Sequence, residues 1–398
     1  MNRRAASWAL YDLANTLVYA VVVTRFYTPH MESWSGSRTL VAAPFFAAMT
    51  LSALMSPWIG SRAARGRAVA DLRTSVGLCV LALVCMWRAA TPQALAVAYA
   101  GALLAYQLSL VAYNACLFDL AMPGRQGRLS GLGVGLGYLG APLGLGMAAL
   151  LQAQWGAGPF EIYLATAVAF LALAVPCLLL PRPRQDRAAQ VPRLSEFLGH
   201  VRRTPALRRF FLGNLMCADA LNSVYVFVAD FLLTAAGWKE AWLIPFLVAT
   251  NLLALPAALW QGRRSDSHGP GSAYRLGVRS LAAGLVLVGL PMAAWPDASR
   301  ILAPGLALAG AVGMAGIWTA GRPWVIGLCP GRSGEGFGLY GVTNKVSCVG
   351  VLLYAWVADG LDSPAWALLV PALGLAAGWA CLRGVPDALS SAPEAAMP

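Results

Sequence analysis

Two carboxylate–amide pairs stand inside stretches of chain that carry almost no other polar group. One is Asp12-Leu13-Ala14-Asn15 and the other is Asp219-Ala220-Leu221-Asn222. In each, acid and amide are spaced to lie one turn apart on a shared helix face. A carboxylate in so apolar a setting is expensive, and an acid kept there is a functional hypothesis by default. Such an acid can carry a proton or hold the ammonium group of a solute, while the amide hydrogen-bonds the acid or the solute. The structural alternative is that each acid simply bonds to a facing helix. Arg322 and Lys345 are the cations in similarly apolar surroundings of the second half, and the only other lysine is Lys239. A guanidinium fork suits two-pronged capture of a carboxylate. Either cation can instead neutralise a nearby acid or snorkel to the interface. With Asp12, Asn15, Asp219 and Asn222 on one side and Arg322 and Lys345 on the other, the set outlines a bipolar site fit for a zwitterion.

The two pairs are offset by 207 residues (219 minus 12). At the same offset Pro123-Gly124-Arg125 recurs as Pro330-Gly331-Arg332, and the match runs on to Leu132 and Leu339. Two distant matches at one offset mark a tandem duplication. Duplicated parallel halves with polar groups near the midplane of a bilayer describe a secondary transporter.

The elements that must position these residues follow from composition. The chain has 398 residues, 59% of them hydrophobic and only 12% charged. Soluble domains carry roughly 25% charged residues, so the chain belongs with integral membrane proteins. Counting runs of about 20 mostly apolar residues as spans predicts helices near 6–28, 39–60, 74–90, 93–118, 130–153 and 160–181. A second set follows near 206–234, 240–260, 276–294, 301–328, 337–359 and 364–383. The expected fold is therefore an all-α integral membrane protein of twelve transmembrane helices in two duplicated six-helix halves. The halves are 1–181 and 206–398, joined by a polar linker at 182–205. The start, Met1-Asn2-Arg3-Arg4, leads into an uncleaved first span.

The net charge of +12 does not point to nucleic acid, because the basic residues lie in short clusters between apolar runs. They are instead a topology signal. One set of loops holds Arg3, Arg4, Arg62, Arg65, Arg67, Arg73, Arg125, Arg128, the linker arginines Arg182, Arg184, Arg187, Arg193, Arg202 and Arg203, and Arg263, Arg264, Arg275 and Arg332. The alternate set holds Arg38, Arg88, Lys239 and Arg300. Basic loops stay inside, so both termini and the linker are expected in the cytoplasm. Abundant Ala and Arg with almost no Lys suggests a GC-rich bacterial genome, hence the inner membrane.

The loops repeat as well. Gly60-Ser61-Arg62-Ala63-Ala64-Arg65-Gly66-Arg67 follows the second span, and Gly262-x-x-x-Asp266-x-x-Gly269 follows the eighth. Both resemble the G-x-x-x-D-R-x-G-R signature of the major facilitator superfamily. Ala64 replaces its acid in the first copy, whereas Asp266 keeps it in the second. An acid there can hold one side of a transporter shut by pairing with neighbouring helix ends.

Longer stretches are more specific. Ser7-Trp8-Ala9-Leu10-Tyr11-Asp12-Leu13-Ala14-Asn15 resembles the W-A-x-Y-D-x-A-N of the autophagy-related vacuolar amino-acid effluxer family and its bacterial relatives. The run from Arg128 to Gly140 is similar to that family's R-x-S-G-x-G-x-x-x-G-Y-x-G. Glu335-Gly336-Phe337-Gly338-Leu339-Tyr340, with Lys345 and Ser347, is similar to its E-x-F-G-L-Y-x-x-x-x-K-x-S. Tyr113-Asn114, Asp119 and Arg322 also fall where that family carries such residues, although Gly321-Arg322-Pro323 departs from its usual Ser-Arg pair. The resemblance spans the chain. It implies a twelve-span major facilitator fold and export of small solutes, while the bipolar site itself suits a zwitterion such as an amino acid, with proton coupling through one of the aspartates.

Gly135-Leu136-Gly137-Tyr138-Leu139-Gly140 fits the dinucleotide pattern G-x-G-x-x-G, but that pattern needs a strand and a soluble βαβ unit. Small residues four apart, such as Gly131 with Gly135 and Gly133 with Gly137, instead let helices approach closely. Gly131, Gly135, Gly137 and Gly140, together with Arg128, Asp266 and Glu335, are the expected gating residues. Asp119, Asp230 and Glu335 lie near span ends, where caps or pairs such as Glu335 with Arg332 are the plainer reading.

The three histidines lie in loops or at span ends, and the eight cysteines sit in or beside apolar runs as small hydrophobes. No metal site, cofactor or disulfide is expected. Walker A, H-E-x-x-H and nucleophile-elbow patterns are missing, so an ATP-driven pump or a membrane hydrolase lacks its chemistry. The expected partners are a small solute, protons and the lipid bilayer, with the chain acting as a monomer. The alternative is a non-transporting membrane scaffold that reuses the fold, which the degenerate loop at Ala64 favours.

Overall fold

In a bilayer every backbone N–H and C=O must be paired within its own segment, so apolar runs of this length fold as helices. The computed structural model describes residues 3–122, 124–180, 194–295, 297, 299–347 and 349–388. Pro123, Arg182, Arg184, Arg187, Arg193 and Cys348 lie outside the described residues. No strand occurs among the described residues.

Eleven helical stretches are long and apolar enough to cross a membrane, and one of them, Thr39–Trp87, has 49 residues. At about 1.5 Å per residue it would be more than twice as long as a hydrocarbon core of about 30 Å is thick. It is broken near its middle, at Arg65 (φ −89°, ψ 18°) and Gly66 (φ 77°, ψ 14°). The second conformation is one that glycine adopts without penalty. Two spans therefore lie there, and the total is twelve.

The spans are α1 Arg3–Ser35, α2 Arg38–Arg62, α3 Ala68–Trp87, α4 Pro92–Leu120, α5 Gln126–Trp155 and α6 Pro159–Leu178. After a short linker helix, Leu194–Arg203, come α7 Pro205–Ala235, α8 Glu240–His268, α9 Pro270–Ala294, α10 Ser299–Leu328, α11 Ser333–Gly360 and α12 Ala365–Leu382. Their ends are set by ordinary chemistry. The Ser37 and Thr91 hydroxyls accept from the Leu40 and Ala94 amides to start α2 and α4, and Gly156 ends α5 in the left-handed conformation. The third span starts at residue 68 rather than 74, and the first runs to 35 rather than 28. Helices continue past the bilayer where polar residues still favour them, and hydropathy does not mark that boundary.

Helix pairings repeat between the halves. In the first half, α1 packs on α5 and α6, α2 on α4, and α3 on α4 and α6. In the second, α7 packs on α11 and α12, α8 on α10, and α9 on α10 and α12. The main seams between halves are α5 against α8 and α2 against α11, with α10 also touching α5. Side chains such as Leu54, Val97, Leu179, Ile301, Leu352 and Trp356 stay exposed on the outside. Apolar exposure on that scale suits a lipid-facing surface.

Candidate functional site between the two halves

On α1, Trp8, Asp12, Asn15 and Tyr19 follow one another at four-, three- and four-residue steps, so they form a single stripe along the helix. Arg322, on α10 of the other half, meets this stripe. Its Nη1 donates to Asp12 Oδ2 at 2.7 Å and its Nη2 to Asp12 Oδ1 at 3.1 Å. Both residues are buried, at 6% and 8% exposure. The guanidinium also lies 5.6 Å from the Trp8 ring and 5.3 Å from the Tyr113 ring, two aromatics stacked 4.4 Å apart. The Trp8 indole donates to the Tyr113 carbonyl, and the Tyr113 hydroxyl faces Asp12. Gly133 of α5 makes room for the pair: a Cβ there would stand 2.8 Å from Asp12 Oδ2 and 2.9 Å from Trp8. The result is a two-pronged charge pair, one charge from each half, closed in by two aromatic rings.

The residues that the sequence groups into one bipolar site fall into three places. Asp12 and Arg322 bond directly to each other, so both oxygens of the acid and both arms of the fork are engaged. Asn15 bonds to neither: its amide nitrogen and oxygen are buried without a partner on the protein. Asp219 and Asn222 act on α11, whose segment Ser333–Val346 ends at Ser347 (φ −73°, ψ 83°) and whose segment Val349–Gly360 follows. The Asn222 amide donates to the Ser347 carbonyl at 3.0 Å and to its hydroxyl at 2.8 Å. On the far side of the break the Gly350 N–H donates to Asp219 Oδ2 at 2.7 Å. The second D-x-x-N thus satisfies both ends of a broken helix, where backbone groups lose their intrahelical partners. Lys345 forms the third place. Its Nζ donates at 2.6 Å to Ser56 Oγ on α2, and that hydroxyl donates onward to the Ser52 carbonyl.

Sequence reasoning passed over Ser56 and Thr319 and met Ser347 and Tyr138 only as motif positions without a role; all four are neutral residues whose part depends on a facing helix. The charged pair itself sits against Trp8, and the stripe spacing back from Asp12 is the signal that finds it.

The halves close on each other at the Arg-rich end. There α5 and α8 touch backbone to backbone: a Cβ on Gly131 would strike the Ala258 carbonyl, and one on Gly262 would come within 2.5 Å of the Gly127 carbonyl. The Asp266 carboxylate accepts from the Gly127 N–H at 2.7 Å and the Arg128 N–H at 3.1 Å, and it also pairs with the Arg128 side chain. It caps the N-terminus of α5, where an anion is favoured. The matching seam joins Gly60 of α2 to Gly334 and Gly338 of α11, and there the backbone of Ala64 lies against Gly334, with no side-chain cap hydrogen bond at the start of α11. Glu335 is instead held by Arg332 at 2.6 and 3.0 Å, and Arg332 lies over Phe197 of the linker helix. Ser130 of α5 donates to the Thr319 carbonyl of α10 at 2.7 Å. Gly135 abuts α8 more loosely, while Gly137 and Gly140 face α1 within the first half and do not line a seam.

Toward the other end of the bundle, Tyr19 and Tyr225 lie on the first helices of the two halves. Tyr19, one turn beyond Asn15, lies within electrostatic reach of Tyr225 on α7. Both are solvent-exposed, at 39% and 47%.

The comparisons with known proteins agree with this architecture. A family model described as Major Facilitator Superfamily matches residues 9–351. An uncharacterized MFS-type transporter, YxiO of Bacillus subtilis (strain 168), is 23% identical over an alignment covering 98% of this chain and 96% of the relative. An uncharacterized protein of Aquifex aeolicus (strain VF5) is 28% identical over 58% of this chain and 57% of its own. Among solved structures, the outward conformation of the transporter FucP superposes with a TM-score of 0.75 at 15% identity, covering 96% of this chain and 97% of that one. A bacterial homologue of the iron transporter ferroportin, in its outward-facing state, gives 0.74 at 16% identity, covering 96% and 99%. With two six-helix sets joined at the α5–α8 and α2–α11 seams and a family match over most of its length, the chain belongs to the major facilitator superfamily.

Proposed function

We propose that the protein is a secondary transporter that moves a small zwitterionic solute, an amino acid by class, by alternating access. The observation that carries this reading is the buried Asp12–Arg322 pair, in which each half contributes one charge. Parting the halves separates the two charges, and a buried charge left without its partner costs several kcal/mol. A zwitterion can take the place of the pair, its ammonium on Asp12 and its carboxylate on Arg322. The solute then compensates the charges while the halves exchange their contacts. A proton on Asp12 has a related effect, because a neutral acid no longer occupies the guanidinium fork. Proton coupling through Asp12 follows from that chemistry.

The resemblance to amino-acid effluxers supports export as the direction. The arginine-rich loops support a cytoplasmic Arg-rich end, with both termini inside and the protein in a bacterial inner membrane. In this arrangement the end joined by the α5–α8 and α2–α11 seams is the cytoplasmic one. The test is uptake of labelled amino acids into inverted vesicles under an imposed pH gradient. Uptake that is driven by the gradient and lost in Asp12→Asn supports the proposal. Uptake indifferent to both would remove the coupling mechanism.

A scaffold reading is favoured by one observation, the uncapped α2–α11 seam at Ala64. A cytoplasmic latch weakened on one side suits a protein that no longer cycles. The Asp12–Arg322 pair argues against it, because a static scaffold gains more from packed apolar residues than from a buried ion pair.

A further inference from the structure

Around the Asp12–Arg322 pair several buried polar side chains find no hydrogen-bond partner on the protein, among them the Tyr113 and Tyr340 hydroxyls and three that line up on α1, α5 and α10. Asn15, on α1, is 2% exposed and leaves both its amide nitrogen and its oxygen unpaired. Thr319, on α10, is fully buried and leaves its hydroxyl unpaired, although its carbonyl is taken by Ser130. Tyr138, on α5, is 8% exposed with its hydroxyl unpaired, and it lies within electrostatic reach of both Asp12 and Arg322. Asn15 stands one turn beyond Asp12, and Thr319 one turn before Arg322. Three helices from both halves thus each carry an unsatisfied neutral side chain within one turn or within electrostatic reach of the charge pair. Buried polar groups are almost always satisfied, so each exception calls for an explanation.

We infer that Asn15, Tyr138 and Thr319 form a side-chain subsite that selects amino acids bearing a neutral hydroxyl or carboxamide. The inference rests on the proposed reading in which the solute's ammonium and carboxylate engage Asp12 and Arg322. With those charges matched, the remainder of the solute meets an amide and two hydroxyls. An apolar side chain there would leave three donors and acceptors buried and unmatched. An acidic or basic one would bring a charge with no counter-charge. A serine-, threonine- or glutamine-type side chain supplies both donor and acceptor. Sites built to hydrogen-bond a group discriminate strongly against analogues that lack it.

The test is equilibrium binding of labelled glutamine to the full-length protein in detergent, with competition by serine, leucine, aspartate and lysine. The wild type should prefer glutamine and serine over leucine by about tenfold to a hundredfold, the scale of leaving buried groups unpaired. Tyr138→Phe removes one hydroxyl without changing the ring, and Asn15→Ala removes the amide. Each should erase most of that preference while leaving leucine affinity within about threefold. Asp12→Asn serves as the control on the shared reading. Equal competition by leucine and glutamine, both abolished by Asp12→Asn, overturns the subsite and leaves the ion-pair site standing. A uniform loss for every ligand in Tyr138→Phe and Asn15→Ala overturns it too, because a purely structural role predicts that result. Absence of binding by any amino acid overturns both.

Discussion

Asp12 and Arg322 are separated by 310 residues of chain and meet as a buried two-pronged ion pair across the two halves of the bundle. Replacing one partner leaves the other charge buried and alone, at a cost of about 3–5 kcal/mol. Arg322→Ala and Asp12→Asn should each lower stability in detergent. The double variant should be clearly more stable than the two losses added together, because no charge then remains unmatched. A double-mutant cycle read by denaturant unfolding measures this directly. Additive losses would mean that the two residues do not act as a unit.

The glycines of α5 divide by what faces them. A methyl group on Gly131 would strike the Ala258 carbonyl across the seam, whereas at Gly135 the nearest atom is the Leu255 carbonyl oxygen at 3.4 Å. Gly131→Val should therefore prevent closure at the Arg-rich end and reduce transport more than about tenfold, with little loss of thermal stability if the open arrangement is unaffected. Gly135→Ala should keep transport within about twofold. Comparing the two in one vesicle assay separates seam geometry from a general need for small residues, and equal effects would contradict the distinction.

Much of this was legible in the chain itself. The offset repeat, the apolar runs and the isolated charges lead to twelve spans, to Asp12 and Arg322 as notable residues, and to Asp266 as the loop acid retained in only one half. What the chain does not display is which isolated charge meets which. Asp12 might have faced Lys345, and Arg322 Asp219, since the choice depends on helix rotation and register over distances of hundreds of residues. The interruption of α11 was equally hidden. Val346-Ser347 and Val349 carry neither Pro nor Gly, and the break is held by Asn222 and Asp219 on another helix. Asn15 shows the limit from the other side: its spacing from Asp12 is visible, but its lack of any protein partner is a three-dimensional fact.

Asp266 and Ala64 occupy matching loops, yet only Asp266 caps a helix of the opposite half. Loss of such a cap costs about 0.5–2 kcal/mol. Asp266→Ala should weaken closure of the α5–α8 seam, and Ala64→Asp should strengthen the α2–α11 seam by supplying an acid at the start of α11 near Gly334. The readout is the rate at which a maleimide modifies a cysteine placed at the buried Ser265, in an otherwise cysteine-free background. Asp266→Ala should raise that rate by roughly twofold to thirtyfold, the Boltzmann factor of the lost cap. Ala64→Asp should lower it. A rate unchanged by both would show that these loops do not set the balance between closed and open.

Asp219 and Asn222 repeat the motif of Asp12 and Asn15 but are bonded differently, and substitutions should expose the difference. In Asp219→Asn the side-chain oxygen can still accept from the Gly350 N–H, so stability should change little. Asp219→Ala removes the acceptor, and Asn222→Ala removes the donor that meets the Ser347 carbonyl. Each should cost about 0.5–2 kcal/mol, as other helix caps do. The loss should be local, because the freed groups belong to the two ends that flank the interruption. Hydrogen exchange at Gly350 should accelerate in Asp219→Ala and stay near wild type in Asp219→Asn. Asp12→Asn should behave in the opposite way, leaving exchange at Gly350 unaltered while destabilising the inter-half pair. Equal responses to Asp12→Asn and Asp219→Asn would mean that the duplicated acids share one role, and the assignment of the second copy to the α11 break would fall.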